Sequence, residues 1–227
     1  MHGTRTSLTD WFWLVYLVTT QTPGMSELQL QKQFGLKRYE TAEMMFHKLR
    51  RAMVAPKREL VRGVVEVDKT YIGGPKPGKR GRGAAGKLLV VAAVEDRGEV
   101  SGRVRLQCIP SFMGATLAAL IEANIAHGAT IKIDGLEGYE APDKEHYRQS
   151  PRIQGSGEGA TIWLPHIHSV FSDLKTWLGG THHGVHPKHL QAYLDEFGFR
   201  YDRRSNPMAA SQTLLDLGTR LEPTTYN

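Results

Sequence analysis

Asp68 and Asp134 stand in positions where a carboxylate is unexpected. Asp68 interrupts an alternating apolar stretch, Val64-Val65-Glu66-Val67-Asp68-Lys69-Thr70-Tyr71, and Asp134 ends another, Ile131-Lys132-Ile133-Asp134-Gly135. In an extended chain the period of two puts Glu66, Asp68 and Thr70 on one face. An acid among apolar strand neighbours is unfavourable unless a cation or a hydrogen-bonding partner compensates it. Gly135 permits a sharp turn after Asp134, which leaves that carboxylate at the carboxyl end of its strand, where α/β sheets present ligands. Brought together on adjacent strands, the two acids would repel unless divalent cations lay between them, and hard oxygen donors favour magnesium or manganese. Two such ions, about 3.5–4 Å apart, are the arrangement that phosphodiester transfer uses. Either aspartate alone reads as readily as a turn cap; the pair on separate strands is what points to metal.

The elements that must position these acids follow from periodicity. Residues 8–20 predict a helix with Trp11, Leu14, Val15 and Val18 on its inner face, ended by Pro23 and Gly24. Ser26 is an N-cap for a helix to Phe34, with Leu28 and Leu30 turned inward. Gly35 then breaks the chain before a helix from Glu40 to Met53. Helix, short glycine turn and helix is a helix-turn-helix pattern. Its last segment carries Arg38, Lys48, Arg50 and Arg51, which suit a major groove or a phosphate track, or else a solvated basic face. Beyond the charged connector Pro56 to Arg62, strands are expected at 63–72, 87–94, 102–109 and 130–133, with a helix at 114–126 between the last two. A short strand near 152–154 and helices at 164–178, 188–197 and 208–217 complete the reading, which is a mixed α/β sheet flanked by helices. The expected divisions are a helical DNA-binding region at 1–60, a catalytic domain at 61–204 and a C-terminal tail at 205–227.

Composition narrows the partner. Lysine plus arginine exceed aspartate plus glutamate by 29 to 23 in 227 residues, a net charge of +6 that suits a polyanion. The stretch from Gly73 to Lys87 is rich in glycine and carries Lys76, Lys79, Arg80, Arg82 and Lys87, as expected of a loop that grips a DNA backbone. It contains no P-loop, because Lys87 is followed by Leu88. The longest apolar run, Trp11 to Val18, is far short of the roughly 20 residues of a membrane span. Cys108 is the only cysteine, which excludes a disulfide framework and makes a reducing cytoplasm, close to the nucleoid, the expected setting. His182, His183, His186 and His189 suggest zinc, but Gly184 and Pro187 break the helix that their spacing would need.

Three segments resemble one family of insertion-sequence transposases. They are Val65-Glu66-Val67-Asp68-Lys69-Thr70-Tyr71-Ile72-Gly73-Gly74, Lys79-Arg80-Gly81-Arg82-Gly83 and Tyr193-Leu194-Asp195-Glu196-Phe197-Gly198-Phe199-Arg200-Tyr201-Asp202-Arg203-Arg204. The likeness runs from about Thr6 to Arg204 and includes Gln29-Leu30-Gln31-Lys32-Gln33-Phe34-Gly35-Leu36. It implies an RNase H-like catalytic domain of the DDE type, with Asp68 as the first acid and Asp134 as the second. The third lies, in this family, on a later helix seven residues before a lysine. Lys175 matches that lysine, which makes His168 the third position, where glutamate or asparagine is usual. A neutral imidazole can ligate a divalent ion but brings no negative charge, so manganese should gain over magnesium. Lys175, two turns on along the same helical face, could hold a DNA phosphate.

His166 and Glu196 are the alternatives for the third ligand. The resemblance further implies double-stranded DNA as partner, both element ends and target, and a homodimer or larger assembly formed on it. Relatives carry a cysteine zinc ribbon upstream, which a single cysteine cannot build; with the non-acidic third position, this keeps a DNA-binding remnant as the alternative expectation. An RNase H-like structural nuclease is the other.

Overall fold

The structure, a computed structural model, describes residues 4–55, 58–73, 87–110, 114–134, 146–152, 163–183 and 185–220. The chain starts with helices α1 (Leu8–Thr20), α2 (Glu27–Gln33) and α3 (Tyr39–Ala52). Ser7 and Ser26 cap the first two, their hydroxyls accepting from the amides of Asp10 and Gln29. These caps satisfy donors that have no partner inside a helix. Trp11, Leu14, Val15 and Val18 are buried, as their spacing predicts. Leu28 is not: it is exposed, and Glu27 turns inward instead, towards a partner on α3. Gly35 takes a positive φ of 61° in the turn between α2 and α3, a conformation in which a Cβ would be strained.

Strands β1 (Val64–Ile72), β2 (Leu88–Asp96) and β3 (Ser101–Ile109) are followed by helix α4 (Gly114–Asn124), then β4 (Thr130–Asp134) and β5 (Arg148–Arg152). They form one sheet in the order β3-β2-β1-β4-β5. β1–β2 and β2–β3 are antiparallel, while β1–β4 and β4–β5 are parallel. This is the RNase H-like mixed sheet that the resemblance implies. The last strand falls a few residues earlier than expected, at Arg148–Arg152, where it extends the sheet in parallel beside β4.

Three helices complete the chain: α5 (Pro165–Thr181), α6 (Leu190–Asp202), which follows a short 3-10 turn at Pro187–His189, and α7 (Pro207–Arg220). The sheet is covered on both sides. Val65, Val67, Ile131 and Ile133 pack with Leu117, Leu120 and Ile121 of α4. On the opposite face Val90, Ala92, Val94, Val104 and Leu106 pack with Ile167, Val170, Phe171 and Leu174 of α5 and with Leu190, Leu194 and Phe197 of α6. A third core joins α1, α2 and α3 to Phe199, Ala210 and Leu214. The segment expected as a tail therefore carries a helix docked on α1, because Ala210, Ser211 and Leu214 give it a buried stripe and the Ser211 hydroxyl meets that of Thr19. Among the described residues no helix is long and apolar enough to cross a membrane.

Candidate active site

Strand register brings the two aspartate positions together. β1 and β4 run parallel with Val64 opposite Thr130, Val65 opposite Ile131, Glu66 opposite Lys132 and Val67 opposite Ile133. The next position on each strand is Asp68 on β1 and Asp134 on β4, the last residue of that strand. Neighbouring strands lie about 4.8 Å apart, so the two backbones approach as closely as a sheet allows.

The face on which Asp68 lies follows from its cross-strand partners. Directly opposite residues share a face, and Glu66, Asp68 and Thr70 pair with Val94, Ala92 and Val90. Those three belong to the core formed with α5 and α6. Asp68, half-buried, thus stands on the side of the sheet covered by α5, the helix that carries His168 and Lys175. Besides apolar packing on this face, a hydrogen bond joins the helix to β1: the Ile167 amide donates to Glu66 Oε2 at 2.8 Å. His168 is the next residue. Its imidazole Nε2 is buried and has no hydrogen-bond partner among the described residues. Lys175 is exposed, two turns further along α5.

Beside these residues lies a second polar group that sequence reading did not single out. Glu66 is fully buried, and its carboxylate lies within 4.8 Å of ligand atoms of Asp96 and His166. Asp96 Oδ2 accepts from Lys132 Nζ at 2.7 Å, and His166 Nε2 stands 3.4 Å from Asp96 Oδ1 and 2.9 Å from the Gly98 carbonyl oxygen. Burial pushes the Glu66 carboxyl above its ordinary pKa, although the Ile167 amide, His166 and Lys132 pull the other way. For Asp96 burial acts in the same direction but is outweighed by Lys132 and the Gly98 amide, which hold its carboxyl down. His166 is engaged at this end of the sheet. The sequence signal for Glu66 was present: it shares the face of Asp68 and stands between the apolar Val65 and Val67.

Two expectations are corrected by burial. Arg50 is no phosphate contact: its side chain is wholly buried, with Nη1 2.6 Å from Glu27 Oε1 and Nε 2.8 Å from Glu196 Oε2. Its guanidinium also lies over the Tyr193 ring, 3.7 Å from the centroid. Glu196, considered above as a third metal ligand, is committed to that pair. The signal for Arg50 was helical spacing, since it follows Phe46 by four residues on the face that α3 buries.

The other basic positions differ among themselves. Arg38 and Arg51 are exposed, and Lys48 and Lys87 are half-buried. Lys76, Lys79, Arg80 and Arg82 lie outside the described residues. The histidines considered for zinc have other contacts: His182 faces Glu27, 3.6 Å away, His186 Nδ1 accepts from the Lys188 amide, and the His189 ring lies beside those of His47 and His186, tilted to both. Among the described residues two clusters could offer ligand atoms to a metal ion, Glu66 with Asp96 and His166, and Glu122 with His127 and His146, and neither includes any of them.

The residue types present fit a divalent ion at the chemical level: a carboxylate residue on β1, another as the last residue of β4, and an imidazole nitrogen without a hydrogen-bond partner among the described residues on the helix that covers this side of the sheet.

Residues 60–202 match the model of the ISXO2-like transposase domain. The chain belongs to this family. No curated protein sequence matches this transposase-family chain. Among solved structures it is similar to a chain of the Mos1 strand transfer complex, at 11% identity over 98% of this chain and 82% of that one, with a TM-score of 0.37. It is also similar to a chain of the simian T-cell lymphotropic virus intasome in complex with the PP2A regulatory subunit B56 gamma, at 10% identity and a TM-score of 0.36. That likeness covers 77% of this transposase-family chain and 66% of the intasome chain.

Proposed function

We propose that this member of the ISXO2-like transposase family cleaves DNA at the ends of an insertion sequence and joins the freed 3′ hydroxyl to target DNA. The observation that carries the reading is the parallel register of β1 and β4, which pairs Val67 with Ile133, the residues immediately before Asp68 and Asp134. In this reading Asp68, Asp134 and His168 hold magnesium or manganese. Bound there, a pair of divalent ions supplies the positive charge that an attacking and a leaving oxygen need in phosphoryl transfer.

The protein's own part is positioning. Asp68 and Asp134 fix the site on the rigid sheet, and His168 faces it from α5 with a nitrogen lone pair. Lys175, exposed on the same helix, holds a phosphate of the bound strand. Arg38, Lys48 and Arg51 on the helical region of residues 1–60, together with Lys76, Lys79, Arg80, Arg82 and Lys87, track the duplex backbone outside the catalytic unit of residues 61–204. Two or more copies assemble on the paired ends.

The test combines the protein, manganese and duplexes taken from the inverted repeats that flank the coding sequence. Loss of a few kcal/mol of charge stabilisation corresponds to on the order of a thousandfold in rate, so Asp68→Asn and Asp134→Asn should each abolish detectable cleavage. Equal cleavage by all three proteins overturns the reading. His168, in place of an acid, favours one alternative: a remnant that binds ends without cutting, recognised by tight end binding and no metal-stimulated product. A structural nuclease would give cleavage with no joined product.

A further inference from the structure

Helix α5 lacks a local cap. Its N-cap residue is Leu164, which has no side-chain acceptor, and Pro165 opens the first turn. Helix starts leave amide donors unsatisfied, and a residue within the turn normally supplies the acceptor. Here the acceptor comes from the sheet. Glu66, with no solvent exposure, accepts from the Ile167 amide at 2.8 Å across 101 residues of sequence. Glu66 Oε1 has no partner among the described residues, so the Ile167 amide is the contact that orients this carboxylate against the helix.

We infer that Glu66 is a positioning residue that caps α5 in trans and thereby fixes His168 opposite Asp68. The inference rests on the metal-site reading above. Glu66 stands two residues before Asp68 on the same face of β1, and Ile167 is the residue before His168. One hydrogen bond therefore links the strand bearing one ligand to the helix bearing another, with a short, stiff path on either side. Without it the first turn of α5 faces β1 through apolar packing, which resists separation from the sheet better than sliding along it, and its remaining polar contacts, from His166 to Asp96 and the Gly98 carbonyl, go to the end of β2 and the turn beyond it. A small slide would take the imidazole out of reach of an ion held by Asp68 and Asp134, since ligand distances tolerate only a few tenths of an ångström.

The test separates acceptor from charge. Glu66→Gln keeps an oxygen at the same reach, Glu66→Leu removes the acceptor at similar volume, and Glu66→Asp keeps the charge but is one methylene short. Manganese affinity is measured by titration well below each melting temperature, and exchange of the Ile167 amide by hydrogen–deuterium exchange. Glu66→Gln should stay close to the unsubstituted protein in both. Glu66→Leu and Glu66→Asp should lose roughly 10- to 100-fold in manganese affinity, as when a group that orients a ligand is removed, and their Ile167 amide should exchange faster.

Manganese affinity unchanged in Glu66→Leu and Glu66→Asp overturns the inference, even if their melting temperatures fall, since that describes a merely structural residue. Should Glu66→Leu not fold, the contrast between Glu66→Asp and Glu66→Gln decides. Asp68→Asn is the control for the underlying reading. If it binds manganese as tightly as the unsubstituted protein, the metal-site reading fails; slow Ile167 exchange in Glu66→Leu would then overturn the cap as well.

Discussion

Replacing Arg50 by methionine tests the polar centre that joins the helical region to the sheet. In the native protein Arg50 bridges Glu27 on α2 and Glu196 on α6, and all three side chains are buried. Methionine fills similar volume but takes the guanidinium away from both carboxylates. Glu27 retains the Tyr193 hydroxyl at 3.0 Å, whereas Glu196 loses its one hydrogen bond among the described residues. Breaking a buried pair by removing one partner typically destabilises by about 3–5 kcal/mol. With roughly 2–4 °C per kcal/mol for a chain of this size, melting should fall by about 8–16 °C for a loss near 4 kcal/mol.

The pH dependence has a definite sign. Burial works against it, but His182 and Arg50 hold the Glu27 carboxyl well below the usual carboxylate range. A depressed carboxyl contributes stability that is fully present above its unfolded pKa and lost as pH falls through the folded value. Arg50→Met removes the Arg50 share of that depression and leaves the His182 share, so its deficit against the native protein is full at pH 7 and shrinks on acidification below about pH 4.5, the ordinary glutamate range. Urea denaturation at pH 7 and pH 4 measures both. The triple variant Arg50→Met, Glu27→Gln, Glu196→Gln should regain much of the loss, because it leaves no unpaired charge. A deficit under about 1 kcal/mol at pH 7, or one that grows on acidification, refutes the reasoning.

Further outcomes follow from the same geometry. His168→Glu adds a negative charge to the proposed ligand set, so the ratio of cleavage in magnesium to that in manganese should rise; an unchanged ratio would remove His168 from the site. Arg38→Ala and Arg51→Ala, both at exposed positions, should weaken binding to all duplexes alike and each lower the slope of log affinity against log salt by about 1, measured by fluorescence anisotropy at several salt concentrations. Leu214→Ala should destabilise by roughly 2–5 kcal/mol in urea, since Leu214 is buried between α7 and the α1 core; a change within a few tenths of a kcal/mol would mean that α7 is dispensable.

How much of this was legible in the sequence depended on the range of the interaction. Alternation of apolar residues located β1 and β4 nearly to the residue, and helical spacing located the buried face of α1, because both are local consequences of backbone geometry. The parallel register that pairs Val67 with Ile133, just before Asp68 and Asp134, was inferred only through the chemistry it would allow, since register depends on α4 and on the crossover that packs it. Arg50 was misread for a related reason. Its charge suggests a surface, while its spacing from Phe46 suggests the core. The two signals conflict until the carboxylates that neutralise it are known, one 23 residues upstream and one 146 downstream. Leu28 and Glu27 exchanged roles under the same influence: with Arg50 inside, the acid is worth more there than the leucine.

These buried polar contacts also bear on how DNA held by the helical region would be registered against the catalytic sheet. Glu27 and Arg50 tie α2 and α3 to α6. α6 in turn is fixed to β3: Asp202 accepts from the Val104 amide and pairs with Arg105 at 2.8 Å, and Gln191 bonds both the Cys108 amide and the Leu106 carbonyl. β3 is bonded through β2 to β1, which carries Glu66 and Asp68. Each step is directional, unlike apolar packing, and so resists sliding as well as separation. A duplex lying on Arg38 and Arg51, as proposed, would be placed relative to Asp68 through this chain of contacts. Arg50→Met should then misplace cleavage as well as destabilise the fold: at a temperature where the variant remains folded, cut positions should spread by a nucleotide or more while duplex affinity holds. A single sharp cut site in folded Arg50→Met protein would show that the helical region needs no such coupling to place the DNA.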